Sequence, residues 1–215
     1  MGQAAIFHAS HVLLNGWPVE GSHGIDTVGL AVACVSGLSF ELDEVSQMDS
    51  RMIPDLATDR LRLRVMEMTD WPEYRAMMMS DHARYMGGPY DEKGAWSWFC
   101  HDIAQWHLLG HGALMVDRAD GATVGQVCLN AGPLFPEREL GWFLYSGFEG
   151  HGYASEAAAV LRDWAFANLD IETLVSYVDE DNLASARVAQ RLNAVVDESA
   201  AKPDPEDIVY RHIRP

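Results

Sequence analysis

The stretch GFEGHGYASEAA, Gly147 to Ala158, decides how this chain is read: glycine recurs at 147, 150 and 152, and an alanine-rich helical run follows at once. The first turn of a helix presents unpaired backbone N–H groups at the positive end of its dipole, so it attracts an anion. Glycines let that anion approach the main chain closely. The run that follows puts Ala154, Ala157, Ala158, Leu161 and Trp164 on one face, and small residues at its start leave room for a bulky ligand. Strand, glycine turn and helix start together predict a diphosphate cradle. It lacks the Lys-Ser/Thr ending of a nucleoside-triphosphate loop, and the third glycine spacing and following acid of a dinucleotide fingerprint.

Outward from this stretch the pattern is regular. RLRLRVM, Arg60 to Met66, alternates basic with apolar residues and predicts a half-buried strand. Thr69 or Asp70 is expected to cap a helix with Pro72 in its first turn, running to about Met79. Asp91 caps a longer one to about Leu109, with Trp96, Phe99, Ile103 and Trp106 along one face. Strands are expected near 112–118, 122–130 and 138–145, the first two joined by a hairpin turn at Ala119-Asp120-Gly121. Beyond the cradle come a helix to about Asn168, a strand at Thr173–Val178, a helix at 182–192 and a closing strand near 207–213. Antiparallel hairpins followed by a strand–helix–strand crossover give an α/β class with no internal repeat.

Composition narrows the partners. The 215 residues carry a formal charge of -17, which argues against nucleic acid or an anionic membrane surface as a partner. Every Lys and Arg lies at or beyond Arg51, and six acids before it leave 26 acids against 15 bases for residues 51–215. Residues 1–50 are therefore expected to be an appendage, either a weakly ordered extension or a start placed upstream of the natural one, and 51–215 the working domain. The apolar run Val28 to Phe40 lacks a positive flank and is too short to span a bilayer. Three cysteines, Cys34, Cys100 and Cys128, lack metal-ligand spacing; Cys100 and Cys128 sit in apolar runs as buried thiols of a reducing, cytoplasmic setting do.

Four stretches together resemble the GNAT N-acetyltransferases, in the branch similar to ribosomal-protein N-terminal acetyltransferases. Glu149-Gly150-His151-Gly152-Tyr153-Ala154 falls on that superfamily's acyl-CoA loop, with Glu149 departing from its usual Gln or Arg. RELGWFLYSGF (Arg138 to Phe148), DEDNLASARVAQRL (Asp179 to Leu192) and LATDRLRLR (Leu56 to Arg64) match the preceding strand, the second CoA element and the opening strand. The resemblance implies a GNAT fold with a mixed sheet of about six or seven strands, splayed at the acyl-CoA site. It also implies acetyl-CoA as cosubstrate, an amine acceptor and a monomer or homodimer. Binding would fall to Trp142, Phe143, Leu144, Glu149, Gly150, His151, Gly152, Tyr153, Ala154, Ser155, Asn182 and Ser185, with Asn182 on the pantetheine amides. Ala189 stands where many relatives carry a tyrosine acid, and Asn193-Ala194 where Gly-Phe is usual, although Asn can take the same left-handed cap.

The chemistry then needs a neutral amine, a stabilised oxyanion and a proton for the sulfur. At pH 7 a lysine amine near pKa 10.4 is neutral about once in 2,500 molecules, a cost of roughly 4.6 kcal/mol, whereas an α-amine near 7.8 costs about 1 kcal/mol. Glu139 is the expected base, acting through a water. Strand alternation puts it with Gly141, Phe143 and Tyr145 on one face and Leu140, Trp142 and Leu144 on the other. Backbone N–H groups between Trp142 and Tyr145 are expected to meet the oxyanion. Ser185 or Tyr145 is expected to donate toward the thiolate. No cysteine lies in the loop or its strand, which favours direct attack in a ternary complex over an acyl-enzyme. A non-catalytic acyl-CoA binder is the alternative that Glu149 and Ala189 favour. A metal site at His101, His107, His111 and Asp102 is disfavoured because Gly110 interrupts the helix between its histidines, and Trp96, Trp98 and Trp106 read as packing residues.

Overall fold

The structure, a computed structural model, describes residues 53–215. The expectation about residues 1–50 lies outside the described residues. In chain order the elements are β1 (Leu56–Ala57), β2 (Leu61–Arg64), α1 (Trp71–Met78), a 3-10 segment (Asp81–Met86), α2 (Glu92–Leu109), β3 (Ala113–Arg118) and β4 (Thr123–Asn130). They continue with β5 (Glu139–Leu144), α3 (Tyr153–Asn168), β6 (Thr173–Asp179), α4 (Leu183–Arg191), β7 (Val195–Val196) and β8 (Asp207–Ile213). One sheet runs in the order β1-β2-β3-β4-β5-β6-β8-β7, with β5 and β6 parallel and the other neighbours antiparallel. Its eight strands exceed the expected six or seven because β1 and β7 are two-residue pieces with no periodicity to betray them.

Strand alternation builds two cores. Leu61, Leu63, Leu114, Val116, Val127, Leu129 and Leu140 point to the side covered by α3, where Ala154, Ala157, Ala158, Leu161 and Ala165 let that helix lie close to the sheet. The intervening residues Ala113, Met115 and Cys128 point to the other side, under Tyr74, Met77 and Met78 of α1 and Ala95 and Phe99 of α2. Two expectations on this side need correction. Trp96 is 42% exposed at the helix edge, against the rings of Trp71 and Phe99, while Phe99 and Trp106 are buried. Cys100 is exposed, whereas Cys128 is buried.

Asp70 also has a different task from the one expected. It makes no side-chain cap for α1; instead its carboxylate takes the Arg64 guanidinium at 2.8 and 2.9 Å and the Glu67 N–H at 2.8 Å. Burial makes the pair the stronger claim on that carboxylate, since an unpaired buried guanidinium would be costly. Asp91 does cap α2 through Gly94 N–H at 2.7 Å, and Asn193 takes the left-handed conformation after α4 at φ 60°.

Candidate active site

Between β5 and α3 the chain turns through Gly147, Gly150 and Gly152 at φ 92°, 80° and 83°, a region where side chains are disfavoured. Gly152 is the residue before α3, and no side chain caps the helix there. The Glu156 N–H reaches the Gly152 carbonyl at 3.1 Å, while the amides from Gly150 to Ser155 donate to no group among the described residues. Ser155 Oγ is buried without a partner among the described residues. Buried donors are rarely left so, and this set faces a cleft of about 620 Å³ that Gly150 to Ser155 line together with Asn182, Ser185, Arg187 and Arg191.

The loop is braced from outside. Arg60 pairs with Glu156 and donates to the His151 carbonyl at 3.2 Å, with its guanidinium 5.1 Å from the centre of the Tyr153 ring. His151 stacks on the same ring at 5.5 Å. The Glu149 carboxylate folds back to accept the Gly147 N–H at 2.8 Å and lies 3.7 Å from His82 Nε2. The departing residue of the motif thus tightens the turn. Free amides, an orphaned hydroxyl and nearby arginines suit a diphosphate, the group the residues present would hold here.

The sheet opens beside this loop. β5 and β6 pair only at Glu139 and Val175, and Ser176 Oγ reaches the Leu140 carbonyl at 2.6 Å before the strands diverge. Tyr145 N–H donates to Val124 at 2.8 Å, so Phe143 and Tyr145 spend their main-chain groups on β4. That narrows the expected oxyanion donors to Trp142 and Leu144, whose alternation turns them toward the opening. Trp142 Nε1 donates to Ser185 Oγ at 3.3 Å across the gap. Asn182 caps α4 by accepting the Ser185 N–H at 3.1 Å, and both residues line the cleft.

A second cleft of about 510 Å³ meets the first at Trp142, Phe143, Asn182 and Ser185. Its floor is the face of β4 and β5 that carries Gln126, Cys128, Asn130, Glu139, Gly141 and Phe143. Gly141 keeps it open, because a Cβ there would lie 2.8 Å from Cys128 Sγ. The partly buried Glu139 accepts from Asn130 Nδ2 at 2.9 Å, and Asn130 in turn accepts from Gln105 Nε2 at 2.9 Å. Burial pushes the Glu139 pKa up to about 7; the nearby Asp207 and Asp102 charges add to this, and Asn130 and the Tyr177 main chain oppose it. Asp102, 4% exposed, accepts from Tyr74 Oη at 2.9 Å and Gln126 Nε2 at 3.0 Å, both on Oδ2. Burial raises it to about 7 as well, against both hydrogen bonds.

The expected residues fall into three groups. Glu139, Trp142, Phe143, Leu144, Asn182, Ser185 and Glu149 through Ser155 line one or both clefts. Tyr145 does not: its side chain is buried in the α1–α2 core, its hydroxyl unpartnered among the described residues, and burial raises its pKa. Of the two expected donors the structure keeps Ser185 at the junction, where Tyr85 of the 3-10 segment also lines both clefts. His111 is fully buried, its Nδ1 on the Leu129 carbonyl at 2.9 Å and its Nε2 accepting from Arg138 at 3.0 Å, so it is a neutral structural residue. Sequence reasoning missed Asp102, Gln126, Cys128 and Asn130 as cleft residues. The alternation of TVGQVCLN was the available signal, since it puts three polar or thiol side chains on one strand face. Cys128 is a thiol in the second cleft, but burial, with the Asp102 and Glu139 charges, raises its pKa well above the ordinary value and disfavours the nucleophilic thiolate.

A family model for the acetyltransferase (GNAT) domain matches residues 60–195. The solved structure of an acetyltransferase from Agrobacterium tumefaciens strain C58 is 55% identical, with a TM-score of 0.73, over 74% of this chain and 94% of that one. A RimL ribosomal-protein alpha-N-acetyltransferase solved in complex with coenzyme A shares the fold at 19% identity and a TM-score of 0.60, over 75% of this chain and 97% of that one. Among curated proteins, the uncharacterised YkkB of Bacillus subtilis strain 168 is 28% identical over 64% of this chain and 83% of its own length.

Proposed function

The chain belongs to the GNAT acetyltransferase family, and from that premise we propose that it is a cytoplasmic N-acetyltransferase moving an acetyl group from acetyl-CoA to an amine by direct attack in a ternary complex. The single observation that carries this reading is the row of undonated amides from Gly150 to Ser155, with the orphaned Ser155 hydroxyl, opening beside the splay of β5 from β6. The RimL relative, solved with coenzyme A, is consistent with it.

In this mechanism the cosubstrate supplies an acetyl thioester, and the chain does the rest. The Gly150–Ser155 amides and Ser155 Oγ hold the diphosphate, and Asn182 binds the pantetheine amides. Main-chain N–H groups of Trp142 and Leu144 meet the carbonyl oxygen as charge develops on it, each such donor being worth roughly 3–4 kcal/mol of barrier. Glu139, at a pKa of about 7, takes the amine's proton through a water. The amine nitrogen bonds to the acetyl carbon as the carbon–sulfur bond breaks; Ser185 Oγ donates a hydrogen bond to the departing sulfur, which takes its proton from solvent water. Trp142 Nε1 already donates to Ser185 Oγ, so the hydroxyl hydrogen is free to turn toward the cleft. The high pKa of Cys128 disfavours a covalent route through its thiol.

The test is thiol release from acetyl-CoA with a panel of amines, followed over pH. The proposal expects turnover whose acid limb turns near pH 7, and loss of that limb in Glu139→Gln. Tight CoA binding with no thiol release from any amine would instead mark a non-catalytic acyl-CoA binder.

A further inference from the structure

We propose that the acceptor is a small acyclic diamine or polyamine whose second cationic nitrogen rests on Asp102, an assignment that builds on the acetyltransferase reading above. The acceptor cleft is lined by Asp102, Glu139, Asp179, Asp204 and Asp207, with Arg84 as the cation among its described lining residues. That guanidinium is exposed and lies 4.4 Å from the centre of the Tyr85 ring. Asp102 is the anchor because it is half satisfied. Both of its hydrogen bonds fall on Oδ2, and Oδ1 takes none among the described residues, although the side chain is 4% exposed and lines the cleft. A buried carboxylate oxygen left open toward a cavity suits an ammonium group.

The remaining lining selects among cations. Gln126 and Asn130, the amide donors on the floor, are spent on Asp102 and Glu139. A free amino acid would bring a carboxylate against Asp102 and Glu139. Methylene groups fit the walls, where Tyr74, Met78, Trp98, Phe135 and Phe143 supply apolar surface.

The experiment compares putrescine with n-butylamine, which share a carbon chain and differ in the second nitrogen. In wild type, kcat/KM is expected to favour putrescine by about tenfold or more, carried in KM. In Asp102→Asn the two amines converge to within about threefold. CoA-induced thermal stabilisation checks that the variant is folded, and calorimetric binding of each amine to wild-type protein supplies the comparison without any variant. Equal constants for the two amines in wild type, or a preference for putrescine that survives Asp102→Asn, would overturn the assignment. Turnover of n-butylamine without a putrescine advantage leaves the acetyltransferase reading standing and removes this one. Absence of thiol release with every amine removes both.

Discussion

Asn130 and Glu139 stand directly opposite one another on β4 and β5, and Asn130 Nδ2 donates to Glu139 Oε2 at 2.9 Å. The same Asn130 is held by Gln105 from α2, so a helix on one face of the sheet fixes the carboxylate proposed as base. Asn130 is thus a positioning residue, and it holds the Glu139 pKa lower than burial alone would set it. Asn130→Leu should lower kcat/KM by roughly tenfold and move the acid limb of the pH profile to higher pH. An unchanged limb in a folded variant would separate Glu139 from the titration.

Asp102 gives a stability prediction with a definite sign. Its folded pKa, about 7, lies above the ordinary carboxylate value because burial disfavours the charge, and Tyr74 and Gln126 only partly offset this while Glu139 faces the same cleft. A raised carboxylate pKa means the stability present below about pH 4 is lost as pH rises toward 7. Asp102→Asn should therefore unfold at a higher temperature than wild type at pH 8, by roughly 1–3 kcal/mol in stability, with the gap closing at pH 4. Thermal melts at the two pH values decide it; a gap that widens on acidification contradicts the account.

Ser155 Oγ has no partner among the described residues, so removing it costs the fold little. Ser155→Ala should weaken CoA binding by about three- to tenfold, the value of one hydrogen bond, with melting of the free protein nearly unchanged. Calorimetric titration with CoA measures the first quantity and a thermal melt the second.

Gly141 tests the shape of the second cleft. In Gly141→Ala the new Cβ meets Cys128 Sγ at 2.8 Å, and overpacking of this kind costs about 1–3 kcal/mol. Adding Cys128→Ala should recover most of that loss, because the sulfur is the atom in the way. Chemical denaturation of the two single variants and the double variant reads the coupling directly.

Much of the fold was legible because its boundaries have local chemical causes. Asp91 and Asn182 begin α2 and α4 with side-chain caps, Gly110 ends α2 in the left-handed region, and Gly121 turns the β3–β4 hairpin. The glycine turn into α3 was legible for the same reason, since three glycines and a helix start are contiguous in the chain. The second cleft was not. Its carboxylates come from α2, β5, β6, β8 and the segment before it, brought together by strand pairing that no local pattern encodes. The 3-10 segment Asp81–Met86, which supplies Arg84, Tyr85 and Met86 to both clefts, has no apolar period to announce it. Tyr145 misled because alternation fixes the face of a strand but not what covers that face; α1 and α2 close over it.

The row of unclaimed main-chain donors after Gly147 is the point on which the account turns, and a crystal structure of the chain with CoA tests it most directly. The account predicts the two phosphates within hydrogen-bond distance of amides between Gly150 and Ser155, with Ser155 Oγ on a phosphate oxygen and the thiol end beside Ser185 Oγ. CoA seated elsewhere, with those amides turned to protein groups, would contradict it.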